Sequence, residues 1–379
     1  MRIALLAPFG LRTKGTARAR TLPLARALAR RGHSVAVFVP PYDSIEDAGH
    51  RWQEAGVEVI NVTLPPGGQS APWHWQLGWR LYAAAARWRP QVVHAFKPKG
   101  PSGLAATLFW TRRQGGRPRL IVDADDWEGP GGWNDHPAAG YSEGQKRFFT
   151  WQERYGLSHA DAWTVTSACL RDRALSLGAR PQDVHVLHNG IEPGDKTPRN
   201  PVSDPAQIIL YTRFAGVCPD DVIDIWRRVR ELKADARLVV VGRGSQGQEA
   251  QVAGLPGAQV AGWLEADEVR GVLARMAVAI APWANTATNR ARHSAKILEL
   301  MNAGLPVVAY DVGEMAVTLG AAGVLLQPGD SARFAEAVVG LVENPERRRV
   351  LGMHGQERVR TLFNWDVLAE VALSAYHSL

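Results

Sequence analysis

The feature that most limits the fold is an alternation, kept from end to end, of short apolar runs with stretches of helical periodicity. Runs too short for a helix and apolar throughout read as parallel strands covered on both faces, with helices as crossovers between them. In the first half these runs are 2–7, 34–39, 57–62, 92–95, 120–122, 162–166 and 184–187. The second half repeats the scheme at 207–211, 236–241, 259–261, 277–281, 306–310 and 323–326. Segment 21–31 shows the helical pattern, with Leu22, Ala25, Leu28 and Ala29 on one face and Gly32 to close it. Residues 192–201, rich in proline and turn formers, read as a linker. A chain of 379 residues suffices for two cores. The expectation is an α/β protein of two doubly wound parallel sheets, with ligand held in a cleft at the carboxyl ends of their strands.

Bulk properties narrow the setting. No run of about 18 apolar residues occurs, so no segment reads as membrane-spanning. The opening stretch has one early positive charge and no small-residue cleavage site, and reads as a buried strand rather than a signal peptide. Cys169 and Cys218 lack metal or redox spacing, which points to the reducing cytoplasm. Residues 1–200 hold 26 Lys and Arg against 17 Asp and Glu, whereas the remainder hold 18 against 20. A basic half suits an anionic partner, either a membrane's inner face or a phosphorylated acceptor; the plainer alternative is solvated arginines. No nucleic-acid-binding module is recognisable, so nucleic acid is not expected as a partner. Trp73, Trp75, Trp79 and Trp88 share segment 71–90 with Arg80, Arg87 and Arg89. That stripe either rests on a membrane or packs in a core.

The densest local pattern is residues 294–309, SAKILELMNAGLPVVA. Ser294 suits an N-cap and Gly304 a stop, which gives a short helix running into a buried strand. Ile297, Leu300 and Met301 face the core, while Lys296 and Glu299 share another face. Arg290, Arg292, His293 and Lys296 crowd the helix start, where the dipole disfavours cations unless an anion such as a diphosphate docks there.

This segment resembles the K-x-x-E-x-M-x-x-G-x-P-V-V stretch of the retaining GT-B glycosyltransferases of family 4. The resemblance takes in Lys14-Gly15-Thr16, the LARALARRGH run at 24–33, Val93-His94, Ala160-Asp161-Ala162, His188-Asn189-Gly190-Ile191, LVVVGRG at 238–244 and Phe363-Asn364-Trp365. It implies a GT-B fold of two Rossmann-like domains, 1–197 and 198–362. Residues 363–379 are expected to cross back and complete the first. It also implies transfer of a hexose from a UDP- or GDP-sugar to a glycan, lipid-linked or small-molecule hydroxyl. Retention of configuration is expected, with no cofactor and no required metal. On this resemblance Glu299 holds the donor ribose, Arg213 reaches the diphosphate and Gly15 lets backbone approach the donor closely.

The sequence departs from the family pattern at three points. A first glutamate would fall at Ala291, so Asn289 or Arg290 is the expected substitute in donor recognition. The lysine usual a few residues beyond Arg213 is absent, which makes Lys296 the second phosphate-binding charge. Where relatives carry a histidine, this chain has Asp123, Asp125, Asp126 and Glu128 at a strand end. Asp125 or Asp126 is expected to orient the acceptor hydroxyl or take its proton, unless the cluster merely caps a loop. His94 is either an acceptor contact or a satisfied buried histidine, and Lys97 and Lys99 either receive an anionic acceptor or are solvated.

Three readings compete. Asp123-Ala124-Asp125 is a D-x-D that would suit a divalent metal in the other glycosyltransferase fold. Gly242-Arg243-Gly244-Ser245-Gln246-Gly247 is a G-x-G-x-x-G after a strand, the mark of an NAD-dependent oxidoreductase, though Gly254 and Pro256 cut the following helix short. A catalytically degenerate relative that binds nucleotide or glycan without turnover is the third.

Overall fold

The computed structural model describes residues 1–12, 15–112, 116–136, 139–192 and 207–377. They belong to two compact units, Met1–Glu192 with Trp365–Leu379, and Pro193–Asn364. Lys14 and the expected linker from Pro193 onward lie outside the described residues.

The first unit is built on strands β1 (Arg2–Leu6), β2 (Ser34–Val39), β3 (Arg51–Glu54), β4 (Val57–Asn61), β5 (Val92–Phe96), β6 (Arg119–Ala124), β7 (Ala162–Val165) and β8 (Val184–Val186). They lie in the order β3-β4-β2-β1-β5-β6-β7-β8, parallel except for β3. Ile3, Ala4, Leu5 and Leu6 of β1 are all fully buried, as a strand covered on both faces requires. Helices α1 (Leu22–Arg30), α2 (Ala71–Arg87), α3 (Gly100–Thr111), α4 (Glu143–Gly156) and α5 (Ala168–Ser176) supply that cover, and a π-helical turn, Ala17–Thr21, leads into α1. The edge strand β3 lies outside the sequence expectation, because its four residues, RWQE, show no apolar alternation. It pairs antiparallel with β4 across Ala55 and Gly56, whose φ of 49° and 81° fit the two-residue hairpin turn.

The second unit carries β9 (Gln207–Tyr211), β10 (Arg237–Val241), β11 (Ala258–Gly262), β12 (Val278–Ala281), β13 (Val307–Tyr310) and β14 (Gly323–Leu326). Their order is β11-β10-β9-β12-β13-β14, parallel throughout. Its helices are α6 (Pro219–Leu232), α7 (Glu249–Ala253), α8 (Ala266–Leu273), α9 (Ala287–Ala291), α10 (Ala295–Asn302), α11 (Met315–Leu319), α12 (Ser331–Glu343) and α13 (Pro345–Leu362). Helix α10 ends before Gly304, whose φ of 72° suits glycine at a helix stop. The final helix, α14 (Trp365–His377), belongs to the first unit, where Trp365, Leu368, Ala369, Ala372 and Tyr376 join the core that holds α1.

Strand order reverses between β1 and β5 in one sheet and between β9 and β12 in the other. At such switch points neighbouring loops diverge to opposite faces and open a crevice at the carboxyl ends of the strands. Gly15, Lys97, Lys99, Asp125 and Asp126 follow β1, β5 and β6, while Arg213 follows β9 and Arg290 lies beyond β12.

Candidate functional site

In the first unit the loops after β5 and β6 gather five charged side chains. Lys97 leaves β5 at a φ of 53°, a strained conformation for a residue with a Cβ, held by its N–H donating to the Asp123 carbonyl at 2.9 Å. The Lys97 Nζ lies 2.6 Å from Asp126 Oδ2, 3.1 Å from Glu128 Oε1 and 3.6 Å from Asp125 Oδ1. Lys99 Nζ donates to Glu128 Oε2 at 2.6 Å and Asn134 Oδ1 at 2.9 Å, and sits 4.6 Å from the centre of the Tyr141 ring. The Thr16 hydroxyl donates to Asp125 Oδ2 at 2.5 Å and so ties the Gly15 turn to the end of β6. A methyl on Gly15 would meet the Phe9 ring at 2.6 Å, so packing against that ring favours glycine there.

Two lysines thus face three carboxylates, mostly out of water. Burial alone would lower Lys97, yet Asp125, Asp126 and Glu128 outweigh it and hold the ammonium well above its usual pKa. Glu128 is desolvated too, but Lys97 and Lys99 keep it below the ordinary carboxylate value. For Asp126 desolvation wins over Lys97, and its pKa rises. Lys97 and Lys99, expected either to receive an anionic acceptor or to be solvated, are both paired with carboxylates here. Asp125 Oδ1 and Asn134 Nδ2 are buried in this cluster with no hydrogen bond, leaving an acceptor and a donor to be met by a polar ligand or water.

His94 and Asp123 do not belong to this cluster. His94 is fully buried, with Nδ1 at 2.9 Å from Tyr376 Oη and Nε2 at 2.9 Å from Thr164 Oγ1. It is the satisfied interior histidine, not an acceptor contact, and burial with Arg20 nearby pushes its pKa well down. Asp123 turns inward onto Arg20, whose Nε and Nη2 donate to it at 2.9 and 2.6 Å, and accepts from Thr164 Oγ1 at 2.6 Å. Arg20 also reaches the carbonyls of Leu187 and His188. The two ends of the D-x-D therefore diverge, and its first carboxylate is occupied by an arginine.

In the second unit the matching loop follows β9. Phe214 at φ 57° and Gly216 at φ 87° fold it tightly, and the Asn289 amide bridges it to the loop after β12 by donating to Gly216 O and Ala284 O, each at 2.7 Å. A Cβ on Gly216 would lie 2.2 Å from Asn289 Oδ1, so both residues are fixed by this bridge. Asn289 is fully buried, and this bracing explains it better than donor recognition does. Arg292 braces the same loop, with Nη1 donating to Ala215 O at 2.9 Å, and His293 is buried against Phe363 with ring centres 5.2 Å apart. Neither stands at the start of α10 as a docking cation. Ser294 precedes α10, but its hydroxyl makes no capping hydrogen bond.

What remains at the switch point is a smaller group. Tyr211, the last residue of β9, hydrogen-bonds Glu299, and burial with that carboxylate drives the phenol pKa up. Lys296 Nζ lies 5.1 Å from the centre of the Tyr211 ring. Arg213 is exposed, its guanidinium 5.2 Å from the Trp263 ring, and the exposed Arg290 donates to Asn285 Oδ1 at 2.8 Å. The sequence assigns no role to Tyr211, although its position at a strand's carboxyl end is a signal for one, and Thr16 and Glu128 stand out there only as members of the glycine loop and the carboxylate cluster. Ala291, where the family's first glutamate would stand, is fully buried. The glycine-rich run at 242–247 is followed by α7, only five residues long, so the helix a dinucleotide fingerprint needs is missing.

Two α/β sheets in series, parallel but for β3, each with polar side chains gathered at its switch point, fit the GT-B fold class. Sucrose-phosphate synthase from Thermosynechococcus elongatus matches this fold with a TM-score of 0.73 over 99% of this chain and 98% of its own, at 19% identity. Anabaena HepE, solved with UDP and glucose, matches at 0.71 over all of both chains, at 16% identity. The chain belongs to the glycosyltransferases, with residues 15–190 matching the glycosyl transferase 4-like domain and residues 211–344 the glycosyl transferases group 1 family. Among named relatives, the glycogen synthase of Mycobacterium tuberculosis is 24% identical over 93% of this chain and 88% of its own length. The phosphatidyl-myo-inositol mannosyltransferase of Mycobacterium leprae is 24% identical over 100% and 97%.

Proposed function

We propose that this glycosyltransferase moves a hexose from a UDP- or GDP-sugar to an acceptor hydroxyl, with retention of configuration and without a required metal or cofactor. The observation that carries the reading is Glu299, bonded by Tyr211 and flanked by Lys296 at the carboxyl end of β9. A carboxylate has lone pairs enough to accept from the Tyr211 hydroxyl and from two ribose hydroxyls together. Arg213, Lys296 and Arg290 supply positive charge for the diphosphate and the developing charge on the leaving group. Gly15 is the first unit's expected contribution to donor binding. Asp125, whose buried Oδ1 lacks a hydrogen bond, and Asp126, whose raised pKa favours taking a proton, orient and deprotonate the acceptor hydroxyl. Relatives named for glycogen, sucrose-phosphate and phosphatidylinositol products support a glycan, small-molecule or lipid-linked acceptor alike.

Thermal shift against a panel of nucleotide sugars identifies the donor, since a ligand that binds the folded state raises the melting temperature. Proton NMR of the product then reads the anomeric configuration, and the assay repeated in excess EDTA reads metal dependence. Inversion, or activity lost to EDTA and restored by a divalent ion, would refute the corresponding part. Ala291 in place of a glutamate favours a second reading, nucleotide binding without turnover. Donor stabilisation with no transfer to any acceptor class would select it.

A further inference from the structure

The tryptophan stripe of α2 divides in two. Trp73 is buried, with Nε1 donating to the Pro65 carbonyl at 2.8 Å. Trp75 and Trp79, one helical turn apart on the outer face, are 54% and 44% exposed. Trp75 meets Phe148 of α4 with ring centres 6.0 Å apart, and Phe148 stacks on Trp151 at 5.7 Å, itself 43% exposed. Two helices thus present three indoles on one aromatic surface, larger than the scattered apolar residues ordinary surfaces carry.

The rim of this surface is cationic. The Arg112 guanidinium lies 4.5 Å from the Trp79 ring centre, and the exposed Arg147 and Arg154 fall four residues before and three after Trp151, on its stripe of α4. A cavity of about 700 Å³ beside Tyr82 and Phe109 is lined by Arg89, Arg112 and Arg117. Counter-charge is scarce. Helices α2 and α3 contain no acidic residue, Glu143 of α4 pairs with Lys146 at 2.9 Å, and Asp161 accepts from both terminal nitrogens of Arg117. The other acid of α4, Glu153, is buried on Arg173.

We propose that the α2–α3–α4 face of the first unit docks on an anionic phospholipid bilayer. Indole rings settle at the depth of lipid headgroups, and arginines set around them meet the phosphates there. A rim in which basic side chains predominate suits a continuous anionic surface better than a protein partner, which would bring charges of both signs. Among the described residues no helix is long and apolar enough to cross a membrane, so the contact is with the bilayer surface. Helix α4 also carries Phe149, whose ring centre lies 4.9 Å from Lys99 Nζ, so the docked face adjoins the charged cluster after β5 and β6. The inference stands independently of the donor chemistry.

The test is co-sedimentation of the full chain with vesicles of phosphatidylglycerol and phosphatidylcholine, set against phosphatidylcholine alone. Binding is expected to the anionic vesicles only, and to fall steeply as salt is raised toward about 0.5 M. Trp75→Ser with Trp151→Ser, and separately Arg147→Glu with Arg154→Glu, are expected to weaken binding about tenfold or more each. All four side chains are exposed, so unchanged thermal melting certifies that both variants fold. Failure to bind anionic vesicles at low salt, equal binding to phosphatidylcholine alone, or unchanged binding by both variants would overturn the proposal. So would binding to soluble heparin that anionic vesicles fail to displace. Sugar transfer is not part of the readout, so the outcome leaves the donor reading to its own assay.

Discussion

At the scale of single residues, burial separates side chains that hold the fold from those available to a ligand. Arg20 and Asp123 are 1% and 0% exposed and bonded through two nitrogens and two oxygens, whereas Arg30 and Asp366 form a pair that is 40% and 38% exposed. Removing one partner of a buried pair strands the other charge away from water, at a cost of about 3–5 kcal/mol, while an exposed pair contributes only about 0–1. Arg20→Met is therefore expected to lower the urea midpoint strongly, and Arg30→Ala hardly at all. A small loss for Arg20→Met would mean that water reaches Asp123. Glu299 is half-buried, so its replacement should act on binding instead. Glu299→Ala is expected to raise the donor KM about 10- to 100-fold, the worth of one or two charge-assisted hydrogen bonds, with the melting temperature nearly unchanged. Isothermal titration with the donor's nucleoside diphosphate checks it, and unaltered affinity would take Glu299 out of the donor site.

At the scale of elements, what could be read from sequence follows what a one-dimensional pattern can encode. Buried parallel strands such as β1, β2 and β9 carry their own apolar signature, and glycine stops such as Gly304 carry theirs. Edge strand β3 has neither, because its residues are polar and its pairing is dictated by β4 and the Ala55-Gly56 turn. The direction of a charged side chain is likewise a property of tertiary packing. His94, Arg292, His293 and Asn289 look like site residues in sequence, yet each is spent inside its unit. The strand-end placement of Asp125 and Asp126 was legible because it depends only on which strand they follow, whereas Glu299, inside α10, was singled out by the resemblance of its segment to the family pattern. Helix α14 shows how a distant segment can complete a core: Trp365 is 1% exposed and packs with Leu368 and Tyr376 in the core that includes α1. Trp365→Ala leaves a large cavity and is expected to cost about 3–5 kcal/mol. Denaturant unfolding read by far-ultraviolet circular dichroism would measure it, and a cost below about 1 kcal/mol would show that α14 is dispensable to that core.

At the scale of the whole molecule, the titrating groups set how stability depends on pH. His33, His74, His94 and His185 all have pKa values below the usual 6.5, in each case chiefly through burial. Between those lowered values and 6.5 the unfolded chain binds more protons than the folded one, so stability rises with pH across that window and is lost as pH falls through it. Each histidine adds at most about 1.4 kcal/mol per pH unit, and His94 should come nearest this limit because it is fully buried beside Arg20. The carboxyls act mainly lower and against one another. Glu128, held below 4.5, contributes stability above that value that is lost as pH falls through its folded pKa, while the raised Asp126 has the opposite sign. Lys97, held above 10.5, contributes stability that is lost only as pH rises beyond that value. The melting temperature should therefore stay nearly level from pH 7.5 to about 6.5 and decline as pH falls below that, where these histidines take up protons in the unfolded chain but not in the folded one. His94→Gln keeps a polar group near Thr164 and Tyr376 but cannot take a proton. The variant should melt lower at pH 7.5 and show a shallower decline than the parent chain. An identical decline in the two would place the acid sensitivity in the other histidines and remove His94 from this account.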